Sequence, residues 1–273
     1  MTWADRGNGM ALKWIGAVLA ILVLGACGST GRSGTGPRSD LQRTWDEAYT
    51  VLPDGPGRYR AGTMAEILAS PPSGSLPTII HMHGCTGIGS ADIDFARHLA
   101  RNGFAVIVPD SMARSWRPLQ CDPWTQTGGY NLFVYDFRQA EIAYALEEIK
   151  DLGWVDRRNL FLIGASEGGV AAALYRGDEF RARVIAQWTC NGATLVAGID
   201  APSWTPVLSV VRMSDPWYAS SRTQGQSGDC GAFMGDRPGS RSIVLPGSAS
   251  HDVLGDDGVR AQILRFLGAN RVR

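Results

Sequence analysis

The sequence predicts an α/β fold: a mostly parallel, doubly wound sheet with helices on both faces. Three observations carry that reading. Strand-like and helix-like segments alternate from about residue 41 to the end of the 273-residue chain, the pattern that builds parallel sheets through helical crossovers. The strand-like segments include continuous apolar runs such as Phe104-Ala-Val-Ile-Val108, as expected where both faces of a strand are covered. The apolar run Leu160 to Ile163 drives straight into Gly164-Ala-Ser-Glu-Gly-Gly169, and small, helix-forming residues follow from Val170 to Leu174. That order reads as strand, tight turn and helix, with Ser166 at the apex.

The elements follow in chain order. Arg6 and Lys13 precede an apolar run from Trp14 to Leu24, which is followed by Gly25-Ala26-Cys27. This has the layout of a secretory signal sequence over residues 1–27, and the run is short for a membrane span. Its end resembles a bacterial lipobox, which implies cleavage before Cys27, lipidation of its thiol and a domain held outside the cytoplasm at the cell envelope. Residues 28–40 are rich in Gly, Ser and Arg without apolar periodicity and read as a flexible tether. Residues 41–273 suit one domain. Within it, Ala48–Leu52 and Gly62–Ala69 read as antiparallel lead-in strands around Pro53-Asp54-Gly55. Thr78–His83 reads as a buried strand, and Ala91–Arg101 as a helix by the spacing of Ile93, Phe95, Ala96, Leu99 and Ala100. After the 104–108 strand, Ser111–Tyr130 is a long irregular loop, of a kind that is usually functional. Phe133–Asp151 reads as a helix with Phe137, Ala140, Ala143, Leu146 and Ile149 on its apolar side. Arg183–Trp188, Pro206–Val211 and Ser242–Leu245 are the remaining strands, and Val259–Leu267 the closing helix.

Composition narrows the function classes. A hydrophobic content of 44% supports a substantial core, and 26 basic residues balance 26 acidic ones. With no basic block, nucleic acid is not a suggested partner. If Cys27 carries lipid, four cysteines remain: Cys85, Cys121, Cys190 and Cys230. An even number in an exported chain favours disulfides. Of the three pairings, Cys85–Cys121 with Cys190–Cys230 is favoured, because each joins loops that follow strands on one sheet edge. The cysteine spacing does not suit zinc.

The serine turn directs the search for chemistry. A hydroxyl at the apex of a strand–turn–helix projects above the sheet edge, while the helix N-terminus offers N–H groups to developing negative charge. A serine needs a base to take its proton, and the base needs a carboxylate to orient it. Of His81, His83, His98 and His251, only His251 follows Ser166, and it sits just past the last strand. Asp178, Glu179, Asp200, Asp215, Asp229 and Asp236 are acid candidates, with Asp252 beside the base. Asp215 follows a strong apolar strand within a few residues and is the first choice, ahead of Asp200. The loop His83-Gly84-Cys85-Thr86-Gly87 is placed to supply one oxyanion donor, the Cys85 N–H or else that of Thr86; Glu167 N–H supplies the other. Trp116, Trp124 and Trp217, on loops at the same edge, and Thr86 are candidate pocket residues. Arg114, Arg117 and Arg212 are there too, as carboxylate ligands or as solvated charge.

Together these residues resemble the α/β-hydrolase superfamily, and more narrowly its dienelactone hydrolase-related branch. The resemblance runs from about Pro77 to the C-terminal helix. It rests on His83-Gly-Cys-Thr-Gly87, Ala105–Ser111, Gly164-Ala-Ser-Glu-Gly-Gly169, Ser214-Asp215 and Ser250-His251. It implies the α/β-hydrolase fold, a Ser166–Asp215–His251 triad, a small-molecule ester substrate, and neither metal nor cofactor. Dienelactone hydrolases proper carry Cys at the turn. Ser166 in that place favours a general carboxylic ester over a dienelactone. A binding scaffold without catalysis, and acyl transfer or peptide cleavage by the same triad, are the alternatives.

Overall fold

The computed structural model describes residues 38–193, 195–219 and 228–273. The expected signal sequence, Cys27 and all but the last residues of the tether lie outside the described residues. Among those described, no helix is long and apolar enough to cross a membrane. The chain opens with α1 (Asp40–Asp46), where the Ser39 hydroxyl accepts the Gln42 N–H at 3.1 Å. That cap starts α1.

The elements that follow are β1 (Tyr49–Pro53), β2 (Tyr59–Thr63), α2 (Met64–Ala69), β3 (Leu76–Met82), α3 (Ser90–Arg101) and β4 (Ala105–Val108). A small hairpin of β5 (Cys121–Asp122) and β6 (Thr127–Gly128) interrupts the long loop before α4 (Phe133–Glu148). Then come β7 (Val155–Ala165), α5 (Glu167–Leu174), β8 (Ala182–Ala186), β9 (Val207–Arg212), α6 (Pro216–Ala219), β10 (Arg241–Leu245) and α7 (Asp257–Ala269). Eight strands form one sheet in the order β10-β9-β8-β7-β3-β4-β1-β2. The six strands from β10 to β4 run parallel, and β1 and β2 add antiparallel at the edge. The order reverses between β3 and β7. The chain winds outward one way after β3 and the other way after β7, and open α/β sheets place ligand crevices at such a switch point.

Alternation along each strand divides the core into two layers. On β7, Phe161 and Ile163 pack with Phe95, Leu99, Ile263 and Leu267 of α3 and α7. Leu160 and Leu162 pack on the other side with Trp45, Met64, Ile142 and Ala172 of α1, α2, α4 and α5. All are buried. Fully burying an aliphatic or phenyl side chain contributes about 1.5–3 kcal/mol, so these layers fix the frame on which the loops are mounted.

Two expectations are corrected. The second lead-in strand ends at Thr63, because a capping box turns the chain into α2. The Thr63 hydroxyl accepts the Glu66 N–H at 3.3 Å, and the Glu66 carboxylate accepts the Thr63 N–H at 2.8 Å. Met64 and Ile67, the buried residues of that turn, lie three apart, a helical spacing that a segment this short does not separate from a strand. In α4 the buried side is only partly the one expected: Leu146 and Ile149 are buried as expected. Ala143 is exposed and Phe137 and Ala140 half-buried, whereas Val134, Arg138, Glu141, Ile142, Ala145 and Leu146 are buried. An Arg–Glu pair three residues apart therefore lies on the inner face, which a reading by hydrophobicity alone assigns to solvent.

The cysteines pair as favoured from the sequence, Cys85 with Cys121 and Cys190 with Cys230, across 36 and 40 residues of chain. In the chain-entropy account a closed loop of that size contributes about 4 kcal/mol.

The tightest constraint lies where β7 turns into α5. A Cβ on Gly168 would sit 1.9 Å from the Met82 carbonyl oxygen, whereas one on Gly153 would meet nothing within 4 Å. Urea unfolding should show Gly168→Ala less stable by about 3 kcal/mol or more, and Gly153→Ala within about 0.5 kcal/mol of the parent. Equal midpoints for the two variants would refute this account of the turn.

Candidate active site

The site forms at the carboxyl ends of the parallel strands, around the turn after β7. Ser166 has φ 57° and ψ −118°, a conformation sparsely populated by residues with a side chain. Its N–H is held by the Ala186 carbonyl of β8 at 2.9 Å, and its carbonyl accepts the Val170 N–H of α5 at 3.1 Å. The glycines around it leave room for this close passage. A Cβ on Gly164 would lie 1.9 Å from the Gly168 carbonyl oxygen, and one on Gly169 2.7 Å from that of Ala186. The hydroxyl is thus carried on a backbone that its neighbours allow no other course. Glu167 is the first residue of α5, so its N–H has no acceptor within the helix.

Asp215 lies past the end of β9 and His251 past the end of β10. Asp215 Oδ2 and His251 Nδ1 are 2.7 Å apart. The other carboxylate oxygen of Asp215 accepts the Trp217 N–H at 3.0 Å, and the residue is 1% exposed. An ionised carboxylate only accepts, so Nδ1 donates and Nε2 of the neutral ring is left as the basic nitrogen. Nε2 is buried and has no hydrogen-bond partner among the described residues. The ring packs against Trp217 and Tyr218, with centroids at 5.3 and 6.3 Å. Burial and the Asp215 charge push the Tyr218 phenol well above its ordinary value of 10.0, so it stays neutral, and its hydroxyl donates to the Gln187 carbonyl at 2.9 Å.

Ser166 opens into a cavity of about 310 Å³. Cys85, Tyr135, Glu167, Trp188, Trp217 and Tyr218 are among its lining residues, and the hairpin segments around Gln120–Cys121 and Gln126–Tyr130 form one wall. Of the expected pocket residues, Trp217 lines the cavity. Thr86, Trp116 and Trp124 are not among its lining residues. Trp116 instead stacks on Phe133 at 5.9 Å, and Trp124, at the hairpin turn, is exposed. Tyr135 and Trp188, which do line it, carried no motif signal. The arginines are corrected as well. Arg114 and Arg117 are neither solvated nor free to bind a substrate, and Arg212 donates to the Asp252 carbonyl at 3.0 Å.

Arg114 and Arg117 belong to a buried polar cluster beneath the turn that the sequence reading missed. Arg138 donates to Glu141 at 2.9 Å and Arg114 to Glu141 at 2.8 Å. Arg117 reaches Glu167 Oε1 at 2.5 Å, and Arg138 Nε lies 3.4 Å from the same oxygen in charge contact, without hydrogen-bond alignment. Ser111 bridges the halves, donating to Glu141 at 2.8 Å and accepting from Arg117 at 2.9 Å. The signal that could have found it is the Arg138/Glu141 spacing set among Val134, Ile142 and Ala145.

The cluster also fixes His83. Its Nε2 faces the Ser111 N–H at 3.1 Å and Arg138 Nη1 at 3.3 Å, both obligate donors. The ring must therefore be neutral and protonated on Nδ1, which donates to the Gly84 carbonyl at 2.7 Å. Arg138 Nη2 holds the His83 carbonyl at 2.9 Å. The Gly84 carbonyl and the Cys85 N–H share one planar peptide and point oppositely, so holding the carbonyl sets the direction of the N–H. Cys85 lines the cavity with Ser166, and its disulfide fixes the same loop from the far side.

No family model matches the chain, and no curated protein matches it by sequence. Solved structures do match. Esterase PE8 superposes with a TM-score of 0.53 at 13% identity, over 72% of this chain and 94% of its own. A provisionally assigned dienelactone hydrolase from Klebsiella pneumoniae gives 0.50 at 19% identity, over 77% and 91%. Est1E from Butyrivibrio proteoclasticus gives 0.50 at 17% identity, over 82% and 93%. The chain has the α/β-hydrolase fold.

Burial and the facing guanidinium of Arg138 hold the His83 imidazole well below its ordinary value of 6.5. The unfolded chain then binds a proton that the folded chain refuses, so stability is full above about pH 6.5 and is lost as pH falls below it. His98, lowered mainly by its own burial, adds in the same direction. Thermal midpoints should fall from pH 7 to pH 5, and His83→Gln should flatten that slope more than His98→Gln. A slope unchanged by His83→Gln would show that the ring is not held neutral.

Proposed function

We propose that this chain is a serine hydrolase that cleaves carboxylic esters through an acyl-enzyme. The observation that carries the reading is the pairing of Asp215 with His251 Nδ1 at 2.7 Å, with Nε2 left unpartnered, in a fold that holds Ser166 at φ 57° on a glycine-lined turn. A base so oriented takes a proton in the direction of its free nitrogen. Esterases and a provisionally assigned dienelactone hydrolase share the fold, which supports the class of chemistry.

His251 Nε2 takes the proton of Ser166 as its oxygen attacks the ester carbonyl. Asp215 holds the ring and stabilises its positive charge. The N–H groups of Glu167 and Cys85 receive the oxyanion, the first from the start of α5 and the second aimed by the His83–Gly84 hydrogen bond. His251 then gives its proton to the departing alcohol. Water, activated by the same nitrogen, releases the acid and restores Ser166.

We further propose export and lipidation at Cys27, with the domain held at the bacterial cell envelope. Support comes from the apolar segment Trp14–Leu24 ending at Gly25-Ala26-Cys27 and from two disulfides, which persist in oxidising compartments.

Hydrolysis of a p-nitrophenyl ester series is the test. Ser166→Ala and His251→Ala should each lower kcat by several orders of magnitude, and Asp215→Asn by about 10⁴-fold. A fluorophosphonate should label the parent and not Ser166→Ala. A parent chain that neither turns over esters nor takes the label is a binding scaffold, and the reading falls.

A further inference from the structure

Half of the large apolar side chains exposed among the described residues lie in one short stretch, between Met112 and Phe133. Scattered exposed apolar residues need no explanation, but a concentration of them does. Trp124 is 96% exposed, Leu119 69% and Trp116 61%. The fold gathers them. Trp116 stacks on Phe133 at 5.9 Å, and both meet the edge of Phe137. The Gln120 carbonyl takes the N–H groups of Gly129 and Tyr130 at 3.0 and 3.4 Å, and Asn131 Nδ2 donates to the Leu119 carbonyl at 2.7 Å. The strand ends around Leu119 and Tyr130 are thereby joined at the base of the hairpin, and Trp124 stands at its tip. The inner side of this hairpin lines the cavity above Ser166. Its outer side is the apolar surface.

The same segment adjoins the start of the folded chain. The Asp40 carboxylate accepts both the Ser115 N–H at 2.9 Å and the Ser115 hydroxyl at 2.8 Å, and Ser115 precedes Trp116. From Cys27 to Asp40 the chain, even fully extended, reaches at most about 45 Å. An anchor at Cys27 would thus keep this surface within about 45 Å of the membrane. The side chains are those that settle at a bilayer interface, Trp and Tyr with Leu, Met and Phe. The segment's own guanidiniums, of Arg114 and Arg117, are turned inward and paired, so what the segment itself presents is apolar surface and not charge.

We propose that the outer face of the 112–133 segment docks on the lipid bilayer that anchors the chain, setting the mouth of the Ser166 cavity at the membrane surface. The docking rests on the anchoring proposed above and not on the ester chemistry. An enzyme so placed would draw amphiphilic esters from the membrane.

The test uses the full chain, reconstituted into phosphatidylethanolamine/phosphatidylglycerol vesicles whose acyl chains carry bromine, a contact quencher of Trp. The parent should be quenched. In the processed chain, which has lost Trp3 and Trp14 with the leader, most of the quenching should vanish in Trp116→Ser/Trp124→Ser; an unprocessed chain keeps only the quenching of those two. Trp124→Ser alone, at a tip with no packing to lose, should remove part of it. Equal quenching of parent and variants overturns the docking. If a dimer is also present and dissolves in the double variant, the face belongs to a second copy. Intact mass separates the two readings. Protein without lipid on Cys27 that is still quenched through these tryptophans supports the docking and removes the anchor. Lipidated protein quenched equally with and without them overturns the docking and keeps the anchor.

Discussion

The site depends on a single crowded crossing, where the turn from β7 into α5 passes against the end of β3. Gly168 touches the Met82 carbonyl so closely that no side chain fits, and Gly164 and Gly169 are confined by their neighbours in the same way. With those contacts in place Ser166 has no relaxed conformation open to it, and it takes φ 57°. A positive φ at a residue with a side chain costs of order 1–3 kcal/mol. It is retained because two core layers and the hydrogen bond to Ala186 over-determine the path of β7. The same crossing sets the Gly84–Cys85 peptide beside the serine, since both loops leave adjacent parallel strands. Position, exposure of the hydroxyl and nearness to N–H donors are consequences of one packing decision.

Beneath that crossing lies a second arrangement whose value is geometric. Three guanidiniums and two carboxylates are buried together, with Arg138 and Glu141 fully enclosed. Taking ions out of water costs several kcal/mol each, and a buried network of this kind is weak evidence for stability. What it gives is alignment. Arg138 contacts Glu167 on one side and His83 on the other, the first residue of α5 and the residue that opens the loop after β3. A single planar, permanently charged side chain therefore registers the loop after β3 against the start of α5. Lysine could not do this, having one compact charge in place of a rigid fork.

Much of this was legible in the sequence, for reasons tied to particular residues. Ser166 stood out because the turn demands small neighbours and the order strand–turn–helix is read from apolar runs. His251 and Asp215 followed from chain order and from strands that end just before them. The cysteine pairing followed from which loops share the sheet edge. The failures have a common cause. The Thr63/Glu66 box, the inner face of α4 and the Arg114/Arg117 pairings all involve polar groups whose partners decide whether they are buried. A polar residue read alone is assigned to solvent, and Arg138 is fully buried only because Glu141, Glu167 and the His83 carbonyl meet it there. Trp116 and Trp124 failed differently. Their loop does reach the cavity, but through Gln120–Cys121 and Gln126–Tyr130, while Trp116 stacks on Phe133 and Trp124 is exposed at the hairpin turn.

That hairpin shows how the fold separates rigidity from access. The loop from Ser111 to Asn131 has little regular structure, so its own backbone cannot hold it. It is tied instead at its start and in the middle: Ser111 and Arg114 to Glu141, Arg117 to Glu167, and Cys121 to Cys85. Each tie ends on an element that carries a piece of the site. A displacement of the cavity wall therefore strains the Cys85 loop or the Glu167 pairing. Regular secondary structure between β4 and α4 would have filled this edge with backbone bonds directed at itself. An irregular loop pinned by side chains leaves its inner polar groups, such as Gln120, Gln126 and Thr127, turned toward whatever the cavity holds.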